Sequence, residues 1–193
     1  GRHVTFAELH RRVAAMAARI SAATAPGDRV VLISDNQLDA LAALYAVPRA
    51  ARILAFGNTR HTPAELMRTV DSVDAVAVLG APDQLDRLDE SLRGRADLTV
   101  WSVGGPHPLA SLDLSAVLDD AAGPGAAVAT AEPAEGGDDT APAWIIHTSG
   151  TTGAPKGVVL THRNLIAATT NTAVARPMAD DDVYLFPFPL FHV

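Results

Sequence analysis

The chain of 193 residues contains no cysteine. Disulfides, thiolate metal sites and cysteine nucleophiles are therefore excluded. It also lacks an excess of positive charge. Fifteen Lys and Arg stand against 22 Asp and Glu, for a formal net charge of −7, which argues against a nucleic-acid surface. No apolar run approaches the roughly twenty residues that a membrane-spanning helix requires. The opening Gly1-Arg2-His3-Val4 does not read as a signal peptide. Lysine is almost missing too: Lys156 is the only one, every other basic residue being arginine or histidine. What remains is 48% hydrophobic and 19% charged, an ordinary globular composition with enough chain for a real core. A cytoplasmic enzyme is the expectation.

Strand and helix signals alternate. Thr5 and Glu8 have the spacing of a capping box, and Leu9, Val13, Met16 and Ile20 recur at helical intervals. Pro26-Gly27 ends that helix, and residues 29–34 form a short β-rich run. Residues 37–51 read as a helix, with Pro48 expected to kink or end it. Residues 53–56 read as a strand. Thr62-Pro63-Ala64-Glu65 starts another helix, with Pro at N1 and Glu at N3. Further strands are predicted over 75–79, 98–103, 144–148 and 158–160. This alternation indicates an α/β layered, Rossmann-like fold with a largely parallel sheet.

Residues 119–142 differ. They are rich in Ala, Gly, Pro and acids and lack apolar periodicity, so they read as a surface connection. Glu132, Glu135, Asp138 and Asp139 read as solvated acids of that connection and not as a metal site. His3, His10, His61 and His107 read as surface or cap residues, and His162 as part of a helix start. No metal site is predicted.

One stretch stands apart. Thr148, Ser149, Thr151 and Thr152 offer hydroxyls, Gly150, Gly153 and Gly157 free the backbone, and Lys156 brings a compact mobile charge, all within residues 148–157. Glycines let main-chain N–H groups approach an anion closely, and successive N–H groups form a concave anion site. The same composition also fits a plain flexible turn between two apolar runs. It does not fit a Walker A loop. Counting from Gly150, the second glycine position falls on Pro155, and Lys156 is followed by Gly157 instead of Ser or Thr. It is not a nucleophile elbow either, because His147 stands where that turn needs glycine. A strand, not a helix, follows, so loop amides and side chains would grip a phosphate more than a helix dipole would.

The string TSGTTGAPKGVVLTHRNL, residues 148–165, resembles the phosphate-binding signature of the adenylate-forming superfamily. That superfamily includes acyl-CoA synthetases, adenylation domains of peptide synthetases, and luciferases. Pro189-Leu190-Phe191-His192 resembles the P-L-F-H segment of its acyl- and aryl-CoA synthetases, where peptide synthetase domains usually carry Phe-Asp. Thr5-Phe6-Ala7-Glu8-Leu9, Gly27-Asp28-Arg29-Val30 and Asn58-Thr59-Arg60 are similar to further landmarks, in order. The chain departs from the pattern in places. His147 replaces a commoner Tyr or Phe, Thr59 a usual proline, and Ala50-Ala51-Arg52 a usual Ala-Gly-Ala.

The resemblance implies an ATP-dependent acyl-CoA ligase that joins a small-molecule carboxylic acid to coenzyme A through acyl-AMP, with Mg²⁺ on the phosphates. It implies phosphate contacts from Thr148, Ser149, Gly150, Thr151, Thr152, Gly153, Lys156 and Gly157, with Lys156 and His192 as the catalytic candidates, His192 beside the acid. It also implies that the chain is the first part of a large N-terminal domain. Residues 1–118 would form a first α/β subdomain, 119–142 the connection, and 143–193 the phosphate-loop segment and start of a second subdomain. The apolar run at 184–191 fits that expectation of a longer protein. Fatty acids are the first expectation for the acid, with malonate-like and aryl acids open. An acyl-AMP ligase serving a carrier protein and a non-catalytic nucleotide-binding module are the rival readings.

Overall fold

A computed structural model describes residues 3–116, 138–148, 156–176, 179 and 181–191. The elements run α1 (Phe6–Ala23), β1 (Arg29–Ile33), α2 (Leu38–Arg49), β2 (Ile53–Phe56), α3 (Pro63–Ser72), β3 (Ala77–Gly80), α4 (Pro82–Arg93), β4 (Thr99–Ser102), β5 (Leu112–Asp113), β6 (Pro142–Thr148), β7 (Lys156–Thr161) and α5 (His162–Ala175). The strands form one sheet in the order β5-β4-β3-β1-β2-β6-β7. Every neighbouring pair is parallel except β6 and β7, which are antiparallel. The α/β layered fold with a largely parallel sheet is therefore as the alternation of elements predicts.

Strand residues point alternately to the two faces of the sheet, and the core divides accordingly. On one face Val30, Leu32, Leu54, Phe56 and Leu79 meet the α1 and α2 residues Met16, Ile20, Ala43 and Val47. On the other, Val31, Ile33, Ala55 and Val78 meet Leu66 and Val70 of α3 and Leu85, Leu88 and Leu92 of α4. Strands buried on both faces read as continuous apolar runs, which is why the short stretches at 30–33 and 77–79 carry no polar alternation.

The local signals explain the helix ends. At α3, Thr62 accepts from the Glu65 N–H while the Glu65 carboxylate accepts from the Thr62 N–H, a complete capping box. At α1 only half the expected box forms. Thr5 accepts from the Glu8 N–H at 3.1 Å, but the Glu8 carboxylate turns to Arg12. The Arg12 guanidinium also lies 3.6 Å from Asp39 at the start of α2. Its side chain is 1% exposed, so a charge that amphipathic reading places outside is instead a buried link between the two helices.

Pro48 sits one residue before the end of α2, where it ends the helix without breaking it. The helix then closes in a Schellman motif: the Arg52 N–H bonds the Val47 carbonyl and the Ala51 N–H bonds the Pro48 carbonyl. Ala51 therefore takes φ +58°, a left-handed conformation that favours glycine. Helix α4 and the short β5 were not among the elements predicted from sequence. No helix among the described residues is long and apolar enough to cross a membrane.

Candidate functional site

In open α/β sheets, ligands bind outside the carboxyl ends of the strands. Here that edge gathers the residues after β1, β2, β3 and β4, together with the end of β6. The Gly/Thr/Ser loop leaves from the same edge. It joins β6 to β7, and the antiparallel ladder places Thr148 opposite Lys156 and His147 opposite Gly157. Both Thr148 and Lys156 are exposed, and Thr148 Oγ1 lies 3.5 Å from the Lys156 carbonyl oxygen. The single lysine and the first hydroxyl of the loop thus stand side by side at its mouth. Ser149, Gly150, Thr151, Thr152, Gly153 and His192 lie outside the described residues.

Gly157 is required by packing at this point. A Cβ there would meet Ile145 Cγ2 at 2.9 Å, and Ile145 is β-branched and buried. The absence of a side chain lets β7 pair beside β6 without pressing on Ile145. His147, one residue before Thr148, is half-buried. Burial pushes its imidazole below the ordinary value, a nearby His61 adds to that, and the Phe56 backbone opposes it. Its Nε2 is 3.4 Å from the Ser72 hydroxyl at the end of α3. A tyrosine or phenylalanine at 147 would not titrate near neutral pH.

Thr59, another departure, has a contact that proline could not make. Its hydroxyl donates to Asp35 Oδ1 at 2.7 Å, tying the turn after β2 to the residues after β1. Those residues form a fixed platform. The Ser34 hydroxyl donates to the Asp35 carbonyl at 2.9 Å, and Gln37 Nε2 donates to Ser34 Oγ at 2.7 Å. Between them, the Asn36 side chain reaches the end of the described chain. Its Nδ2 donates to the Phe188 carbonyl at 2.8 Å, and its Oδ1 accepts from the Leu190 N–H at 2.8 Å. Sequence reasoning did not single out Asn36, because no local pattern marks a residue whose partners lie more than 150 positions away.

An apolar cleft of about 420 Å³ opens beside this contact, lined by Asn36, Leu41, Tyr45, Trp144, Phe186 and Leu190 among others. Trp144 meets Phe56 edge-on, with ring centroids 5.5 Å apart, and donates its indole N–H to the Leu44 carbonyl. Among the described residues, no group of His, Asp and Glu could hold a metal ion. Asp139 is taken by Arg163, which holds its carboxyl below the usual range, and the Asp138 carboxyl is lowered by its hydrogen bonds from Thr140.

A family model described as "AMP-binding enzyme" matches residues 1–193. A 2-succinylbenzoate–CoA ligase of Bacillus cereus is 27% identical over 191 residues, 98% of this chain and 34% of that protein. The long-chain-fatty-acid–CoA ligase FadD13 of Mycobacterium tuberculosis is 34% identical over 176 residues, 88% of this chain and 31% of that protein. Among solved structures, ATP-bound MatB from Rhodopseudomonas palustris superposes with a TM-score of 0.78 at 26% identity, covering 100% of this chain and 36% of that one. The chain spans about a third of the length of the relatives it matches.

Proposed function

The chain belongs to the AMP-binding enzyme family, and from that footing we propose that it supplies the phosphate-gripping part of an ATP-dependent acyl-CoA ligase. In the first half-reaction a carboxylate oxygen attacks the α-phosphorus of ATP. The α–β bridging P–O bond breaks, giving acyl-AMP and pyrophosphate. In the second, the CoA thiolate attacks the acyl carbon and AMP leaves. Both steps need in-line positioning and charge neutralisation more than a protein nucleophile.

The observation that supports this reading is the pairing of Thr148 with Lys156 at the mouth of the loop, on the carboxyl edge of the parallel strands. In this reading Lys156 reaches a polyphosphate held by the loop's main-chain N–H groups and by the hydroxyls of Thr148, Ser149, Thr151 and Thr152. Gly150, Gly153 and Gly157 keep the backbone free of side chains. Lys156 then neutralises charge that builds on the departing pyrophosphate, and the hydroxyls fix its orientation. His192 takes the place beside the acid carboxylate. Mg²⁺, when bound with ATP, would supply further charge neutralisation at the phosphate oxygens. The described residues contain no group of three or more His, Asp or Glu that could hold it.

The relatives named above act on acids as different as succinylbenzoate and long-chain fatty acids, so the acid is left open at the level of a small-molecule carboxylate, with fatty acids first to be tried. The test is acid-dependent exchange of labelled pyrophosphate into ATP by the complete protein, across short, long and aromatic acids. Exchange with one acid class establishes adenylation and identifies the substrate class. Exchange with none, in protein that binds ATP, would favour a nucleotide-binding module instead.

A further inference from the structure

We infer that Asn36 is a positioning residue for the acid side of the reaction, acting by seating the segment 188–190 on the carboxyl edge of β1. This rests on the adenylation reading above and on the place it gives His192, two residues beyond Leu190 in the chain.

The contact is built as a neighbouring strand would build it. An asparagine side chain carries one donor and one acceptor on a planar amide. Here Nδ2 donates to the Phe188 carbonyl and Oδ1 accepts from the Leu190 N–H, both at 2.8 Å. The segment has few alternatives. Pro187 and Pro189 have no N–H, so within 187–190 only Phe188 and Leu190 carry main-chain donors. Asn36 takes the second of these together with the carbonyl two residues earlier.

Position and rigidity support a role beyond packing. Asn36 lies just past the carboxyl end of β1, in the middle of the sheet. β2 is added on one side of β1 and β3 on the other. That switch point is where open α/β sheets usually hold a ligand. From that edge Asn36 reaches the downstream segment 188–190. The flanking residues are fixed, Asp35 by the Thr59 hydroxyl and Gln37 by Ser34 and the Val103 carbonyl. Behind the clamp, Leu190 and Phe191 pack against the core cluster that contains Leu44 and Phe56. Asn36 therefore couples the sheet to the residues that lead into His192, and its role is to position them.

The experiment uses the complete enzyme, with Asn36→Ala and Asn36→Asp, in pyrophosphate exchange with the acid that the wild type uses. Removing both bonds should raise the KM for the acid about tenfold and leave the KM for ATP within about twofold. Asn36→Asp keeps the acceptor for the Leu190 N–H and loses the donor, so its defect should be intermediate. Hydrogen exchange at the Leu190 amide should accelerate in Asn36→Ala. An unchanged acid KM, a parallel rise in the KM for acid and ATP, or a Leu190 amide that stays protected would overturn the inference. If Asn36→Ala does not fold, the same readouts on Asn36→Asp decide. A wild-type enzyme without exchange for any acid overturns the adenylation reading and this role with it. An active wild type with normal acid kinetics in the Asn36 variants overturns this role alone.

Discussion

The indole N–H of Trp144 donates to the main-chain carbonyl of Leu44 at 3.1 Å, across 100 residues of sequence. In an uninterrupted helix that carbonyl would accept from the N–H of residue 48, four positions on. Residue 48 is proline and has none. The side chain of β6 thus satisfies an acceptor that Pro48 leaves open in α2.

This pairing predicts a coupled pair of substitutions. Trp144→Phe keeps a ring against Phe56 but abandons the Leu44 carbonyl, and should cost about 1–3 kcal/mol in denaturant unfolding. Pro48→Ala restores an intrahelical donor. In that background the cost of Trp144→Phe should fall by about 1 kcal/mol. Strictly additive effects would show that the carbonyl is served in some other way.

Ala51 occupies the left-handed position of a Schellman motif at φ +58°. An L-residue with a Cβ is disfavoured there by roughly 1–2 kcal/mol, while glycine loses more unfolded-state entropy, which offsets part of the gain. Ala51→Gly should therefore stabilise the protein by about 0.5–1 kcal/mol, measured as a higher denaturant midpoint with an unchanged slope. A loss of stability would contradict this account of the end of α2.

Burial disfavours the charged form of His147, so its folded value lies below the ordinary 6.5. As pH falls below that ordinary value the unfolded chain binds the proton first, so stability is complete above it and declines on acidification. Between pH 7 and 5, where carboxylates hardly titrate, stability should fall in the wild type. It should fall less in His147→Phe. Equal slopes in the two proteins would assign the pH dependence to other groups.

Gly157 backs the loop where any Cβ would press on Ile145 Cγ2 at 2.9 Å. Gly157→Val should cost about 1–3 kcal/mol by overpacking between two stiff, branched side chains. Because the strain falls at the base of the loop, nucleotide affinity should weaken as well. A variant of wild-type stability and affinity would mean that β7 shifts freely.

What the sequence discloses here depends on how local the cause is. The start of α3 is legible because Thr62, Pro63 and Glu65 act on one another within a single turn. The strand Ile53–Phe56 is legible because charge and glycine bound its apolar run. Helix α4 is not, since only Leu85, Leu88 and Leu92 mark its buried stripe within a strongly polar segment. The burial of Arg12 depends on Asp39 in another helix, and the clamp at Asn36 on partners near the far end of the chain. The loop stands out by composition, because the hydroxyls, glycines and cation that a phosphate grip would demand are the same in any fold. The pairing of Thr148 with Lys156 comes from a strand register that no motif records.

The central claim is that Lys156 grips the phosphates that leave as pyrophosphate, and its most direct test is pyrophosphate–ATP exchange by the complete protein carrying Lys156→Ala. Loss of one charge-assisted contact, worth about 1.5–3 kcal/mol, should slow exchange about 10- to 100-fold, with little change in the concentration of acid needed for half-maximal rate. Exchange at the wild-type rate, or a defect confined to acid binding, would contradict the assignment.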